Sequence, residues 1–197
     1  MQVRRSVLAA FVLVAFALMG TNIALVKQVR TLAGLNKAYE ANLHLGVGPK
    51  VPPLSGSAPG GTSTVVRYDR NQLKTLLLVY APSCPYCGLN WVSWRELLNQ
   101  FDPARVRAVA VSVEGAGLSQ QFLEQVGLTK AATVLLPDFH SVVSYRLRYT
   151  PQTILIGPDG KVEGIWSGVL SSQQTTEISR ASLAPEQNSS VQERAGK

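Results

Sequence analysis

The stretch that decides the fold runs from residue 76 to residue 87 and reads Leu-Leu-Leu-Val-Tyr-Ala-Pro-Ser-Cys-Pro-Tyr-Cys. Its first five residues form a continuous apolar run between polar neighbours and a proline, a pattern typical of a strand buried on both faces. An amphipathic helix is predicted next, with an apolar stripe of Trp94, Leu97, Leu98 and Phe101. The two cysteines of the chain, Cys84 and Cys87, therefore lie where a buried strand passes into a helix.

This position gives the two thiols different environments. Cys84 falls at the N-terminus of the predicted helix, where free backbone N–H groups and the helix dipole stabilise a thiolate, whereas Cys87 lies one turn inside. A decrease of the Cys84 pKa from about 8.5 to about 6.5 would raise its thiolate fraction at pH 7 from roughly 3% to roughly 75%. Cys84 is therefore the expected nucleophile and Cys87 the resolving thiol. The expected redox centre is a Cys84–Cys87 disulfide, with no metal and no organic cofactor.

Two other uses of a Cys-x-x-Cys pair have less support. A disulfide that closes only four residues restricts the unfolded chain by roughly 2 kcal/mol, against roughly 3 kcal/mol for a fifteen-residue loop, so it is a poor structural staple. A zinc site needs a second pair of ligands, and His44 and His140 occur singly, in linker and turn contexts. The redox interpretation is therefore favoured and no metal site is predicted.

Strands and helices alternate along the rest of the chain, which indicates an α/β sandwich with a mixed central sheet. The further predicted elements are a strand over 106–113, a helix over 118–126 capped by Gly127, an apolar run at 134–136, an undecided segment at 141–148, a hairpin of 153–156 with 161–166, and a last helix after residue 172 with Ile178 and Leu183 facing inward. Thr150-Pro151 opens the strand 153–156. The residues alone leave its cis and trans forms open, with trans the commoner.

The N-terminal segment predicts export. Residues 6–26 carry no charge, and as a helix they would be about 31 Å long, enough to span a bilayer. We interpret residues 1–27 as a membrane anchor with a cytoplasmic N-terminus, and a cleaved secretory signal is the alternative. Residues 28–61 are expected to form a juxtamembrane helix followed by a Gly/Pro-rich linker or lead-in strand. Residues 62–183 should form the folded domain and 184–197 a disordered tail.

The charge distribution argues against a nucleic-acid-binding protein. The net charge is +7, but residues 1–50 carry six basic and one acidic side chain, and residues 51–180 carry eleven and nine. A nucleic-acid-binding face needs Lys and Arg clustered on the folded domain itself, and most of the positive charge lies outside it. No nucleic-acid partner is therefore expected.

Three stretches resemble the signature segments of the thioredoxin fold, in their usual order: residues 76–87, 145–156 and 157–162. Within that superfamily, residues 46–180 are most similar to the membrane-anchored TlpA/ResA-like thiol-disulfide oxidoreductases, and also to the MauD-like accessory proteins of methylamine dehydrogenase maturation. The resemblance implies a three-layer sandwich with Cys84 as nucleophile and Cys87 as resolving thiol. It also implies a cis Pro151. The substrate-binding residues that it implies are Pro151, Thr150, Pro85 and Tyr86.

Two positions depart from the thioredoxin pattern. Ser83 replaces the tryptophan usual before the first cysteine, and Leu78 replaces the buried acidic residue six positions before it. A carboxylate there would take the proton of the buried thiol, so the proton acceptor is unassigned. Glu114 lies near where ResA-like relatives carry a functional glutamate and is the candidate acceptor, with a solvated loop acid as the alternative.

The resemblance implies an extracytoplasmic, membrane-tethered enzyme that reduces disulfides of exported client proteins. Apocytochromes c under maturation would be such clients, and a membrane electron donor of the CcdA/DsbD kind would recharge the dithiol. The direction of electron flow stays open, because a strongly lowered Cys84 pKa would favour an oxidant. A thiol peroxidase shares this fold, but Ala81 occupies the threonine position of its P-x-x-x-T-x-x-C pattern. A non-enzymatic binding module with a vestigial dithiol is the third class.

Overall fold

The computed structural model describes residues 16, 18–34, 45–68, 73–131 and 133–184, in two compact units, Met1–His44 and Leu45–Lys197. In the first unit, residues 18–34 form a helix with exposed side chains. No helix of the described part is both long enough and apolar enough to cross a membrane. Most of the predicted anchor, and all of the predicted tail beyond residue 184, lies outside the described residues.

In the second unit, the described residues form one mixed sheet of seven strands. They are β1 (Leu54–Ser57), β2 (Ser63–Val66), β3 (Lys74–Tyr80), β4 (Val106–Ser112), β5 (Thr133–Pro137), β6 (Gln152–Ile156) and β7 (Val162–Ser167). Their order is β2-β1-β5-β4-β3-β6-β7. Strand β3 pairs in parallel with β4 and antiparallel with β6, and β6 and β7 form the predicted hairpin. The predicted α/β fold with a mixed sheet is confirmed.

The described residues of this unit form five α-helices: α1 (Pro85–Gly88), α2 (Trp91–Gln100), α3 (Gln120–Val126), α4 (Phe139–Ser144) and α5 (Ser172–Leu183). Buried side chains of α2, α3 and α5 share one apolar cluster with one face of the sheet. The other face packs against a second cluster, which includes Tyr145 and Leu147 directly after α4. Helix α4 resolves the undecided segment 141–148, and Asp138 caps it by accepting a hydrogen bond from the Ser141 N–H at 2.7 Å.

Strand β3 is buried along its whole length, as its unbroken apolar run predicts. Leu76 and Leu78 contact the cluster on the side of α2, and Leu77 and Val79 contact the cluster on the opposite side. This alternation follows from the two-residue period of a strand. Burying each such side chain contributes about 1.5–3 kcal/mol to the stability of the fold, so β3 is firmly held in the sheet. The turn that carries Cys84 and Cys87 follows the end of this strand.

The predicted domain boundary at residue 62 is too late in the chain. Strand β1 pairs with β2 and β5, so the sheet already includes residues 54–57. Gly56 explains why a Gly/Pro-rich stretch enters the sheet: a Cβ atom there would lie 2.1 Å from the Leu136 carbonyl oxygen. Only glycine allows the backbones of β1 and β5 to approach this closely.

The last helix matches the prediction except at Leu183. Ile178 is fully buried, but Leu183 is exposed. Residues five positions apart lie about 140° apart around a helix, so the two side chains cannot share one face. Ser182, at the i+4 position from Ile178, is the buried residue instead.

Candidate active site

Cys84 directly precedes the short helix α1, four residues after the end of β3. It occupies the N-cap position in extended conformation, and its N–H donates to the Ala81 carbonyl at 3.1 Å. Its thiol is partly exposed. Burial opposes ionisation of this thiol, but hydrogen bonds from the Thr150 side chain, the Cys87 side chain and the backbone of residues 86 and 87 outweigh it and lower the Cys84 pKa. The predicted direction of the shift is confirmed.

The helix after the dithiol is not continuous. Helix α1 ends at Gly88, and Leu89 and Asn90 form a tighter turn, with N–H groups that donate to the carbonyls three residues earlier. Helix α2 then starts at Trp91. Four residues give a smaller dipole than a long helix, so individual hydrogen bonds account for most of the lowered Cys84 pKa.

Cys87 lies one turn inside and is fully buried, within the apolar cluster that also holds Trp94 and Leu78. Burial raises the pKa of its thiol to about 12, because the ionised form would lose its hydration in this apolar surrounding. Both cysteines are free thiols. The site therefore pairs one thiol that ionises more readily than an ordinary cysteine with one that stays protonated at neutral pH.

The Thr150–Pro151 peptide bond is cis, the form that the resemblance implies. The Cys84 Sγ donates to the Thr150 carbonyl oxygen at 3.4 Å, so the loop before β6 lies directly against the partly exposed thiol. Pro151 itself is buried, and its carbonyl accepts a hydrogen bond from the Gly168 N–H at 2.8 Å. The structure thus brings Cys84, Cys87, Thr150 and Pro151 together.

The segments next to the dithiol expose several apolar side chains. Pro85 is the first residue of α1 and is exposed, and Tyr86 has 63% of its surface accessible. Three other exposed apolar residues lie on neighbouring segments: Leu89 after α1, Tyr149 before Thr150, and Val169 after Gly168. We call these three residues and Tyr86 the apolar rim.

Glu114, directly after β4 and Val113, contacts the residue before the nucleophile. Its carboxylate accepts hydrogen bonds from the Ser83 N–H, at 3.1 Å, and from the Ser83 hydroxyl. The Ser112 hydroxyl donates to the Glu114 carbonyl at 2.5 Å and fixes the turn. The structure therefore brings Glu114 to the cysteine turn by way of Ser83, whereas its role as proton acceptor stays a prediction.

Asn90 is the residue of the site that the sequence pattern did not reveal. It lies between Leu89 and Trp91, is fully buried, and bonds through its side-chain amide to the backbone of residues 168 and 170. The available signal was one polar residue at the start of an apolar helix. Such a residue is commonly a solvated cap, so the signal alone carries little weight.

The fold resembles several solved structures. One is the thioredoxin domain of a thiol-disulfide oxidoreductase from Bacteroides vulgatus, with 17% identity, a TM-score of 0.52, and coverage of 68% of this chain and 95% of that chain. A thiol:disulfide interchange protein from Bacteroides sp. has 17% identity, a TM-score of 0.57, and coverage of 74% and 96%. A peroxiredoxin-like protein from Aquifex aeolicus has 14% identity, a TM-score of 0.55, and coverage of 70% and 88%. At these identities the likeness shows the shared thioredoxin-like fold.

The family of the chain follows from its sequence. No curated protein matches it. A family model described as the AhpC/TSA family matches residues 47–165, which cover strands β1 to β6, both cysteines and Pro151. Because this match spans more than half of the 197 residues, the chain belongs to the AhpC/TSA family.

Proposed function

We propose that this protein is a thiol-disulfide oxidoreductase that reduces disulfide bonds of polypeptide clients. The observation that carries the proposal is the contrast within one dithiol. The partly exposed Cys84 has a lowered pKa beside Thr150, and the buried Cys87 has a pKa raised to about 12. This is the asymmetry that a nucleophile and a resolving thiol require.

The first step is attack by Cys84. Its thiolate sulfur attacks one sulfur of the client disulfide, forms a mixed disulfide with it, and displaces the other client sulfur as a thiolate. The backbone next to the cis Pro151 is the surface on which an extended client segment would lie, because the Thr150 carbonyl is 3.4 Å from the Cys84 Sγ. Thr150, Pro151, Pro85 and Tyr86 are the proposed client-binding residues.

The second step is release by Cys87. Its thiol loses a proton and attacks the Cys84 sulfur, so the Cys84–Cys87 disulfide forms and the second client sulfur departs as a thiolate. The client gains two electrons and two protons, and the dithiol loses them. No metal or organic cofactor enters either step. A thiol donor must then reduce the new disulfide before the next cycle.

The cellular setting is part of the proposal and rests on the resemblance to TlpA/ResA-like proteins. Its elements are a single-pass membrane anchor with the catalytic domain outside the cytoplasm, a recharging partner of the CcdA/DsbD kind, and exported clients such as apocytochromes c. The lowered Cys84 pKa bears on the direction of electron flow. A stabilised thiolate favours the reduced dithiol, so a strongly lowered pKa would make the protein an oxidant. A reduction potential near that of a strong oxidant such as DsbA would contradict the reductant role.

Peroxide reduction is the second candidate function, favoured by the likeness to a peroxiredoxin-like fold. Two observations weigh against it. Ala81, with no hydroxyl, precedes Cys84 by three residues, and no cation of the described chain contributes to the lowered Cys84 pKa. We expect the full chain, supplied with dithiothreitol, to reduce a disulfide-bonded peptide at least about tenfold faster than it consumes hydrogen peroxide under matched conditions. The reverse ratio would make peroxide the substrate.

Glu114 is proposed as the acceptor of the Cys87 proton. An aromatic disulfide substrate allows the attack by Cys84 and the resolution by Cys87 to be measured separately. Attack by Cys84 on 5,5′-dithiobis(2-nitrobenzoate) releases one coloured thiolate, and resolution by Cys87 releases the second. We expect Glu114→Gln to slow the second release by about a hundredfold and to leave the first unchanged. Ser83→Ala is the matched control, because it removes the hydroxyl that binds Glu114 but keeps the carboxylate. If both variants slow the second release equally, Glu114 only holds the turn and the proton-acceptor prediction is wrong.

A further inference from the structure

Asn90 lies between helices α1 and α2 and connects them to the loop after β7. Its side-chain Nδ2 donates to the Gly168 carbonyl at 3.0 Å, and its Oδ1 accepts from the Leu170 N–H at 2.8 Å. Its backbone N–H donates to the Cys87 carbonyl at 3.0 Å, and its carbonyl accepts from the Trp94 N–H at 2.9 Å. One fully buried residue thus bonds to the redox helix, to α2 and to a loop almost 80 residues away.

The loop after β7 is also hydrogen-bonded to Pro151. The Gly168 N–H donates to the Pro151 carbonyl at 2.8 Å, and the Gly168 carbonyl accepts from Asn90, so Gly168 is bonded to both Pro151 and Asn90. The Gly168 φ angle of +87° lies in a backbone region that residues other than glycine rarely adopt. Asn90, Gly168 and Pro151 therefore form a continuous hydrogen-bonded connection across the site.

The Gly168 carbonyl and the Leu170 N–H, which bind the Asn90 side chain, lie on either side of Val169 along the chain. Val169 is an exposed member of the apolar rim. Both hydrogen bonds from the Asn90 side chain to this loop involve backbone atoms, so Asn90 fixes the position of Val169 through the main chain. A buried amide with both of its functions paired to one loop is costly to replace, because removing it leaves a carbonyl and an N–H without partners. The arrangement ties the backbone on both sides of Val169 to the residue whose N–H binds the Cys87 carbonyl.

We propose that Asn90 is a positioning residue. It holds the loop of residues 168–170 against helices α1 and α2, and this loop forms one wall of the client-binding site. The proposal rests on the proposed function and adds a determinant of client affinity. An extended client segment with apolar residues next to its disulfide would lie between Val169 and Tyr86. A small disulfide needs no such wall to reach Cys84.

The test compares two disulfides in the full-length Asn90→Ala variant. For a peptide with one disulfide flanked by leucine and tyrosine, we expect KM to rise about tenfold or more with kcat changed less than about twofold. For 5,5′-dithiobis(2-nitrobenzoate), we expect the first thiolate release to keep its wild-type rate. Equal losses with both disulfides, or an unchanged peptide KM in a folded variant, would overturn the proposal.

Amide hydrogen exchange tests the positioning without any turnover. In Asn90→Ala we expect exchange at Leu170 and Gly168 to accelerate at least about tenfold, with Val79 in β3 unchanged. Unchanged exchange at Leu170 and Gly168 would overturn the positioning role even if KM rose. An inactive wild-type protein would instead refute the proposed function, so the two failures are distinguishable.

A second variant covers the case in which Asn90→Ala does not fold. Val169→Ser leaves both Asn90 hydrogen bonds in place, because they involve only the loop backbone. We expect it to raise the peptide KM about threefold or more, since part of an apolar contact is lost. Val65→Ser is the matched control: Val65 is 46% exposed against 42% for Val169, but lies on β2 at the opposite edge of the sheet. Equal effects of the two serine variants would contradict the proposal.

Discussion

Replacing Cys84 by serine is expected to reduce disulfide-reductase activity by at least about a thousandfold, to the uncatalysed background. A serine hydroxyl does not ionise near neutral pH and cannot form a mixed disulfide, whereas Cys84 is the thiol with the lowered pKa. Turnover of a disulfide-bonded peptide with dithiothreitol as electron source measures the loss. A variant with wild-type turnover would refute the catalytic role of Cys84.

Cys87→Ser is the matched variant, because it changes the other sulfur of the same dithiol. Cys84 can then attack but nothing resolves the product, so we expect the mixed disulfide with a client to accumulate. Mass spectrometry of the trapped conjugate identifies both the attacking sulfur and the client. A conjugate on Cys84 supports the proposed order of steps. If both serine variants keep the protein's biological role, the dithiol is vestigial and the binding-module interpretation is correct.

The strand and dithiol could be predicted from the sequence because their signals are local. An unbroken apolar run predicts β3, and two cysteines at the next turn predict the helix N-cap. The hairpin of β6 and β7 has an equally local signal in the tight turn at residues 157–160. Each of these features depends on neighbours within a few residues, which a sequence pattern displays directly.

The remaining features depend on contacts between distant residues. When only its neighbours are considered, Gly56 is compatible with either a linker or a lead-in strand, but its missing side chain is required by Leu136, 80 positions away. Asn90 resembles a solvated cap, but its partners at 168 and 170 become visible only when the loop after β7 folds onto it. The cis form of Pro151 is another such case, since the residues before a proline do not decide it.

The two thiols should differ widely in reactivity toward iodoacetamide. At pH 7 an ordinary cysteine is roughly 3% thiolate and the lowered pKa gives Cys84 more than this, whereas a pKa of about 12 gives Cys87 about one part in 100,000. The more basic Cys87 thiolate is intrinsically about twentyfold more nucleophilic, which leaves Cys84 at least about fiftyfold faster. The burial of Cys87 widens this ratio further. Peptide mapping after timed alkylation of the reduced protein measures both rates.

The pH dependence of alkylation identifies the cause of the difference. The Cys84 rate should rise with pH and level off at a lower pH than the rate of an ordinary cysteine, because its pKa is lowered, whereas the Cys87 rate should rise until about pH 12, so the ratio of the two rates shrinks in alkali. Thr150→Val removes a hydrogen bond that lowers the Cys84 pKa, so its plateau should move to higher pH. Parallel titration of both thiols at the pKa of an ordinary cysteine would mean that neither burial nor Thr150 separates their pKa values. The division of roles between nucleophile and resolving thiol would then have no physical basis in this fold.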